Sequence, residues 1–497
     1  MTLFKKLNFH SLLIFPLMIL MSGCYKGKSV DIVIHNARIH TMNESDAIFE
    51  AIAIKAGKII EVGPEQQILN KYTSKEEIDA GGKDIYPGFT DVHGHIIDLA
   101  KRKLSVDLTG TRSYDELLMR LEKYSQLNSS SFIIGRGLDT SLWSSKEKFT
   151  NERLNSVFSK IPVCLYFIGD EVVIVNKALL TKSKIESKDG IIKGNSIEQV
   201  AKILPSYSKN QLKKTILEIQ NQLFQYGITG VHEAGVDFEN LQLFKELVKS
   251  NQLKLNMYAM LTPSEKNYEF AKKNKIQKIK NLTVRSFSAN SNLSSEELKR
   301  LALVCEVAGY QMNIKSAANT NNTLIYDLIK TINDVNKDHR WRIDAAQNLI
   351  SKEYNQFAKL GIFPTIFPNQ SLSNTTKNVA FKSILNQTGM VAIGSNFPFE
   401  TFNPSSTIQT SVQGLNSENT PIKGISARET LTLEECIKGM TNWAAFSSFQ
   451  ETNLGTIEKG KDATFVVFEF PVISGPEFIQ NYAYMTFIKG KKVYSTE

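Results

Sequence analysis

Cysteine is almost absent from this chain, four in 497 residues. Beyond Cys24 only Cys164, Cys305 and Cys436 remain, an odd number, each in an apolar or helix-like setting. That excludes a disulfide framework or a zinc-ribbon pattern and reads as three buried thiols. Long apolar runs are missing as well: past Met21 no stretch approaches the ~20 residues a membrane-spanning helix needs. Charge is not concentrated either. The net formal charge is +9, but the lysines are scattered, so the surplus suits solubility or an anionic membrane surface and does not imply a nucleic-acid partner. No Pro- or Ser-rich linker divides the chain, which predicts one large fold with a satellite domain.

What is present begins with Lys5 and Lys6, an apolar run from Leu12 to Met21, and Ser22-Gly23-Cys24. This is a secretory signal pattern over residues 1–23. Met-Ser-Gly-Cys resembles the lipobox of bacterial lipoproteins, which implies lipid modification of Cys24 and a place in the bacterial cell envelope, periplasm-facing or on the outer surface. The membrane is then a partner through the anchor, since acyl chains contribute ~0.8 kcal/mol per buried CH₂. An ordinary cleaved signal followed by a chance cysteine is the alternative. Loss of the segment takes Lys5 and Lys6 with it and lowers the formal charge from +9 to +7.

Both ends of the remaining chain read as strands. Asp31–Met42 and Ala51–Val62 alternate apolar and polar residues around Gly57, and Ala463–Phe468, Ala483–Ile488 and Lys491–Tyr494 do the same. Between them, from about Pro87 to Gln450, short apolar strands (Phe132–Ile134, Val163–Phe167, Thr229–Val231, Val391–Ile393) alternate with helical stretches such as Ser113–Tyr124 and Lys209–Gln225. That alternation predicts an α/β fold, a parallel sheet closed into a TIM-type (β/α)₈ barrel with insertions.

Pro87-Gly-Phe-Thr-Asp-Val-His-Gly-His95 puts two histidines two apart at the end of an apolar strand, a spacing that lets two imidazoles grip one divalent ion or leaves two solvated histidines. With its strand-rich hairpin before it and Leu454-Gly-Thr-Ile-Glu-Lys-Gly-Lys-Asp-Ala463 near the end, the pattern resembles the amidohydrolase superfamily. Ile134-Gly-Arg-Gly-Leu-Asp139, Gly227-Ile-Thr-Gly-Val-His-Glu-Ala-Gly235, His339–Gln347, Val391–Pro398 and Leu431–Cys436 are similar to segments of its amidohydrolase 3 family, in family order. The resemblance implies a small β-sandwich built from residues 24–86 and 451–497, a barrel over 87–450, and an inherited metal-dependent hydrolysis of C–N bonds other than peptide bonds.

The same resemblance marks where this chain departs. His93 and His95 match the expected metal ligands. Arg285 stands where the comparison places a carbamate-forming lysine, and arginine can neither carboxylate nor ligate. Lys315 replaces a histidine, Asp344 keeps an acid but Ala345 replaces the next histidine, and Asn396 replaces the aspartate expected to take the water proton. Glu171 and Gln370 fall where substrate-side histidines belong. His232 is either a ligand or a strand-end histidine bonded at the barrel mouth. With His35, His40, His93, His95, His232 and His339 the only histidines after the signal, a four-histidine site is excluded.

Three readings follow: a catalytically degenerate barrel that binds a small-molecule ligand or partner in the old pocket without turning it over; a reduced hydrolase holding one zinc or other divalent ion on His93 and His95, helped by His232 or Asp344; or a scaffold with the pocket filled, as Phe367, Phe397 and Phe399 hint. The cofactor is one divalent metal or none. Asp344 is expected to pair with Lys315 or Arg285, leaving a side-chain cation where the metal belongs, able to attract an anionic ligand.

Overall fold

The computed structural model describes residues 27–128, 131–144, 149–168, 172–194, 196–290, 293–316, 323–332, 338–372, 379–416, 418–472 and 482–496. The Cys24 signal and Glu171 lie outside them. Eight parallel strands follow one another in chain order around the centre: β1 (Phe89–Gly94), β2 (Ile228–Val236), β3 (Asn256–Leu261), β4 (Leu282–Asn290), β5 (Gln311–Lys315), β6 (Arg342–Asp344), β7 (Phe363–Ile366) and β8 (Ala392–Ile393). Strands covered on both faces read as continuous apolar runs. Accordingly, all six residues of β3, Asn-Met-Tyr-Ala-Met-Leu, are buried.

No ladder joins β8 to β1. The turn after β8 closes the ring instead: Asn396 N donates to His93 O (2.9 Å) and His95 N donates to Phe397 O (3.0 Å). Ser395 N donates to Asp91 Oδ1 (3.0 Å) and Ser395 Oγ to Asp91 Oδ2 (2.5 Å). The barrel is therefore sealed at the same few residues that carry the histidine pair.

Helices pack outside the strands with one apolar stripe inward. α1 spans Ile96–Lys103, α2 Phe238–Lys249 and α3 Ser295–Ala308. Leu241, Phe244 and Leu247 of α2 are buried in the main core with Met257 and Leu282 of the barrel. α3 starts at a reciprocal cap between Ser294 and Glu297 and stops at Gly309, whose φ of 75° is the left-handed turn that glycine adopts without penalty.

The chain ends form a sandwich. One sheet runs Lys58–Gly63, Ala51–Lys55, Lys28–His35, Tyr72–Asp79; the other runs Lys491–Ser495, Ala483–Ile488, Phe465–Phe468, Asp84–Pro87, Arg38–His40, Ile48–Phe49. Val466 pairs with Tyr86, joining the two ends in one sheet. Ile34, Ile52, Ile85, Phe465 and Phe487 fill the space between.

One expectation is corrected. Phe132–Ile134 and Val163–Phe167 do not enter the barrel. They belong to a separate sheet, Ile191–Lys193, Val172–Val175, Val163–Phe167, Ile133–Leu138, Val106–Asp107, inserted between β1 and β2 with its own core of Leu108, Leu117, Leu121 and Val163. No helix among the described residues is long and apolar enough to cross a membrane.

Candidate functional site

The C-terminal ends of β4, β5 and β6 are level, with Asn290 opposite Lys315 and Lys315 opposite Asp344. Side chains from these ends, from β1 and from the turn after β8 form the site. In a (β/α)₈ barrel this end carries the chemistry.

His93 and His95 meet at 5.0 Å between ring centroids, edge to face. The residue between them is glycine for a steric reason: a Cβ on Gly94 would lie 2.2 Å from Cε1 of Phe397, whose buried ring packs there. Each imidazole is oriented by a partner that can only accept. His93 Nδ1 donates to Asp344 Oδ2 (2.8 Å) and His95 Nδ1 donates to the Ala234 carbonyl (3.1 Å). Both rings therefore carry a lone pair on Nε2, and both Nε2 atoms are buried without a hydrogen-bond partner.

His232 has the opposite tautomer. Nη1 of Arg342, a donor only, lies 3.0 Å from its Nδ1, which must accept, so the proton sits on Nε2. A ring that is protonated on its free nitrogen cannot ligate there. His232 accepts from Arg342, its Nε2 is buried without a hydrogen-bond partner like those of His93 and His95, and in this tautomer it offers no lone pair to a metal. Burial is the main reason that all three imidazoles are held neutral: it pushes His93 down to about 3 against the opposing pull of Asp344, and lowers His95 and His232 as well.

Asp344 does not pair with Lys315 or Arg285 as expected. Its Oδ1 accepts from Arg342 Nε (3.1 Å), Arg342 Nη2 (2.9 Å) and Thr365 Oγ1, and its Oδ2 from His93. Burial alone would raise this carboxyl, but the Arg342 charge and these hydrogen bonds outweigh it and hold it well below the usual carboxylate range. Arg342, entirely buried, also donates to Val92 O (2.9 Å), and so ties β6 to β1 and β2. Sequence reasoning quoted this arginine only as part of a motif. Its position two residues before Asp344, on the same strand face, was the available signal.

Lys315 bonds elsewhere: Nζ donates to Asn396 Oδ1 (2.8 Å). The rings of Phe367 and Phe399 lie 5.8 and 6.0 Å from Nζ. Its charge bears on both His93 and His95, and burial favours the neutral amine. Phe367 and Phe397 are core residues, whereas Phe399 stands on the rim, against His95 on one side (5.7 Å) and the Arg102 guanidinium on the other (5.0 Å).

Arg285 is not part of this site. It lies five residues before Asn290 on β4, roughly 16 Å back along an extended strand, at the opposite end of the barrel. There its guanidinium stacks on Phe449 (3.3 Å), which also carries Arg340 (4.4 Å). Gln370 sits half-buried in the short turn Pro368–Leu372 after β7. Two acids went unnoticed in the sequence. Glu233, next to His232 but on the outer strand face, accepts from Ile96 N (2.6 Å) and Ile97 N (3.0 Å) at the start of α1, and burial raises it to about 8. Glu400 follows Phe399; burial raises it to about 7 against the pull of Lys315.

These donors do not fit a resident catalytic metal. Two imidazole lone pairs are available, but no group of three or more potential ligands occurs among the described residues. Asp344 is occupied by Arg342, Thr365 and His93. The Lys315 charge faces the same two imidazoles, and Asn396 lacks the carboxylate that would take a proton from bound water.

A model of the amidohydrolase family, in its amidohydrolase 3 branch, matches residues 76–494. Among curated relatives, the protein LONG AFTER FAR-RED 3 of Arabidopsis thaliana is 22% identical over 94% of this chain and 92% of its own length. The N-substituted formamide deformylase of Arthrobacter pascens is 20% identical over 88% and 93%. Among solved structures, an uncharacterized metal-dependent hydrolase from Pyrococcus horikoshii superposes with a TM-score of 0.76 at 20% identity, covering 88% of this chain and 97% of that one. Barrel, end-built sandwich, histidine pair and family match agree: the chain belongs to the amidohydrolase family, and at its barrel mouth Lys315 is hydrogen-bonded to Asn396.

Proposed function

We propose that this protein uses the amidohydrolase barrel as a metal-independent pocket for a small anionic molecule, and that it does not carry out the family's C–N bond hydrolysis. The observation that supports this most is the Lys315–Asn396 hydrogen bond beside the two neutral imidazoles. A lysine and an amide occupy the places where the resemblance expects a histidine and an aspartate. A cation held in a partly desolvated pocket attracts a carboxylate more strongly than one in water. The partner is accordingly a carboxylate-bearing metabolite. Lys315→Ala should weaken binding of succinate to the purified mature domain by about tenfold or more, as measured by calorimetry. Unchanged affinity would remove Lys315 from recognition and with it this reading.

A second reading, one weakly held divalent ion on His93 and His95, draws on the two unpartnered Nε2 lone pairs. The metal content of the protein separates the two. We further propose that a lipid on Cys24 carries the domain to the cell envelope. In that case wild type fractionates with membranes and Cys24→Ala with the soluble fraction. Identical fractionation of both would refute the anchor.

A further inference from the structure

We propose that the barrel end opposite the mouth docks on an anionic phospholipid surface, through a cluster of lysines set beside three exposed apolar side chains. The surface is separate from the pocket at Lys315 and needs no lipid on Cys24.

The segment Ala271-Lys-Lys-Asn-Lys-Ile-Gln-Lys-Ile-Lys-Asn281 holds five lysines and no acid. It ends the helix Glu265–Asn274 and continues into the strand Gln277–Ile279, which pairs antiparallel with the start of β4, Ile279 opposite Leu282. Lys272, Lys273, Lys275, Lys278 and Lys280 are all exposed. Lys275 Nζ donates to Val307 O (3.0 Å), and Lys280 Nζ to Lys249 O (2.8 Å) and Asn251 Oδ1 (2.6 Å). Among the described residues none of the five pairs with a carboxylate, whereas the neighbouring Lys266 and Arg300 pair with Glu239 and Glu265. The acids nearby do not neutralise them. Glu269, one turn before Lys272 and Lys273, pairs with neither; on α3, Glu297 caps its own helix at Ser294 and Glu306 lies 3.2 Å from His339. Glu296 stands about 16 Å along the α3 axis from Val307.

The apolar part adjoins the charge. Leu303 and Val307, one turn apart on α3, are 56% and 65% exposed, and Ile276, between Lys275 and Lys278, is 41% exposed. Gly309 joins them: a Cβ there would meet Ile276 Cδ1 at 3.7 Å. Single exposed apolar residues need no explanation, but a contiguous set beside unneutralised lysines marks a contact surface. A bilayer satisfies both halves, since lysines attract anionic headgroups while apolar side chains enter the acyl boundary. Nucleic acid would match the lysines and leave Ile276, Leu303 and Val307 in water.

The placement suits a bilayer as well. These segments lead directly into β4 at Leu282 and β5 at Gln311, so the surface lies at the strand N-termini. The sandwich joins at the same end, where Gly88 N donates to Thr464 O (3.1 Å) before β1 and Thr486 Oγ1 to Phe224 O (2.7 Å) before β2. A membrane held there leaves the mouth facing solvent.

Sedimentation with vesicles tests the proposal. Every protein compared carries Cys24→Ala, so that no acyl chain enters the comparison. Affinity for an equal mixture of phosphatidylcholine and phosphatidylglycerol should exceed that for phosphatidylcholine alone by about tenfold or more and fall with added salt. Lys272→Gln, Lys273→Gln, Lys278→Gln together should cost roughly a hundredfold in affinity for the anionic vesicles, about fivefold for each lysine near the leaflet. This variant keeps the two lysines that bond neighbouring carbonyls, so its unfolding midpoint should match wild type. Ile276→Ser with Val307→Ser should weaken binding several-fold and leave its salt dependence in place. Lys123→Gln, Lys160→Gln, Lys177→Gln, an equal charge change on the inserted sheet and its helices, should alter affinity by no more than about twofold. Equal affinity for the two kinds of vesicle, or an equal loss in the two triple variants, overturns the proposal. Binding to a DNA duplex but to neither kind of vesicle assigns the surface to nucleic acid and overturns it too.

Discussion

Replacing Arg342 with methionine is expected to lower the stability of the domain by roughly 3–5 kcal/mol, the usual cost of removing one partner from a buried ion pair. The arginine has no solvent-exposed surface, and four of its contacts end at once: two hydrogen bonds to Asp344 Oδ1, one to His232 Nδ1 and one to Val92 O. Asp344 would stay buried with its charge no longer balanced, and of the two ties from β6 to β1 only the His93–Asp344 hydrogen bond would remain. Urea denaturation of the two proteins measures the effect. A midpoint within experimental error of wild type would show that Arg342 does not organise the site. Arg342→Lys should recover only part of the loss, because an ammonium cannot reach the carboxylate, the imidazole and the carbonyl together.

Glu233→Ala should be the next most damaging change, by roughly 2–4 kcal/mol, since two buried backbone N–H groups at the start of α1 lose their acceptor. The entry into α1 begins at His95, so the same variant should weaken ligand binding at the mouth. Glu233 also sets a pH dependence. Burial raises it from 4.5 to about 8 in the folded protein, so between those values the folded state keeps a proton that the unfolded chain has released. Stability should therefore fall as pH rises from about 4.5 to about 8. Asp91, raised by burial to about 6, adds a smaller decline of the same sign between about 4 and 6. Glu233→Gln should flatten the curve between about pH 7 and 8 and leave, below that, only the shallower declines due to Glu400 and Asp91. An unaltered slope there would assign the dependence to another group.

The scaffold was legible in the sequence because its signals are local. Pro87–His95 marks the end of β1, and alternating apolar strands and helices mark the barrel. The inserted sheet was not legible, for Phe132–Ile134 and Val163–Phe167 are short apolar runs of the same character as barrel strands, and only their partners distinguish them. Arg285 was misplaced for a related reason: a strand pattern gives the face of a residue but not its depth along the barrel, and β4 is long, from Leu282 to Asn290. The opposite tautomers of His93 and His232 depend on contacts with Asp344 and Arg342 across 251 and 110 residues of chain, which no spacing rule reports. Lys315 and Asn396 were each noticed as departures; that they bond to one another emerges only from the closure of β8 against β1.

The central claim is that side-chain cations have taken the place of a catalytic metal. It is tested most directly by the metal content per chain of the purified protein, produced with zinc and manganese supplied, beside a His93→Ala, His95→Ala double variant. The account predicts no stoichiometric metal in wild type and no difference between the two proteins. About one zinc per chain in wild type that vanishes in the double variant would contradict it and restore the reduced-site hydrolase.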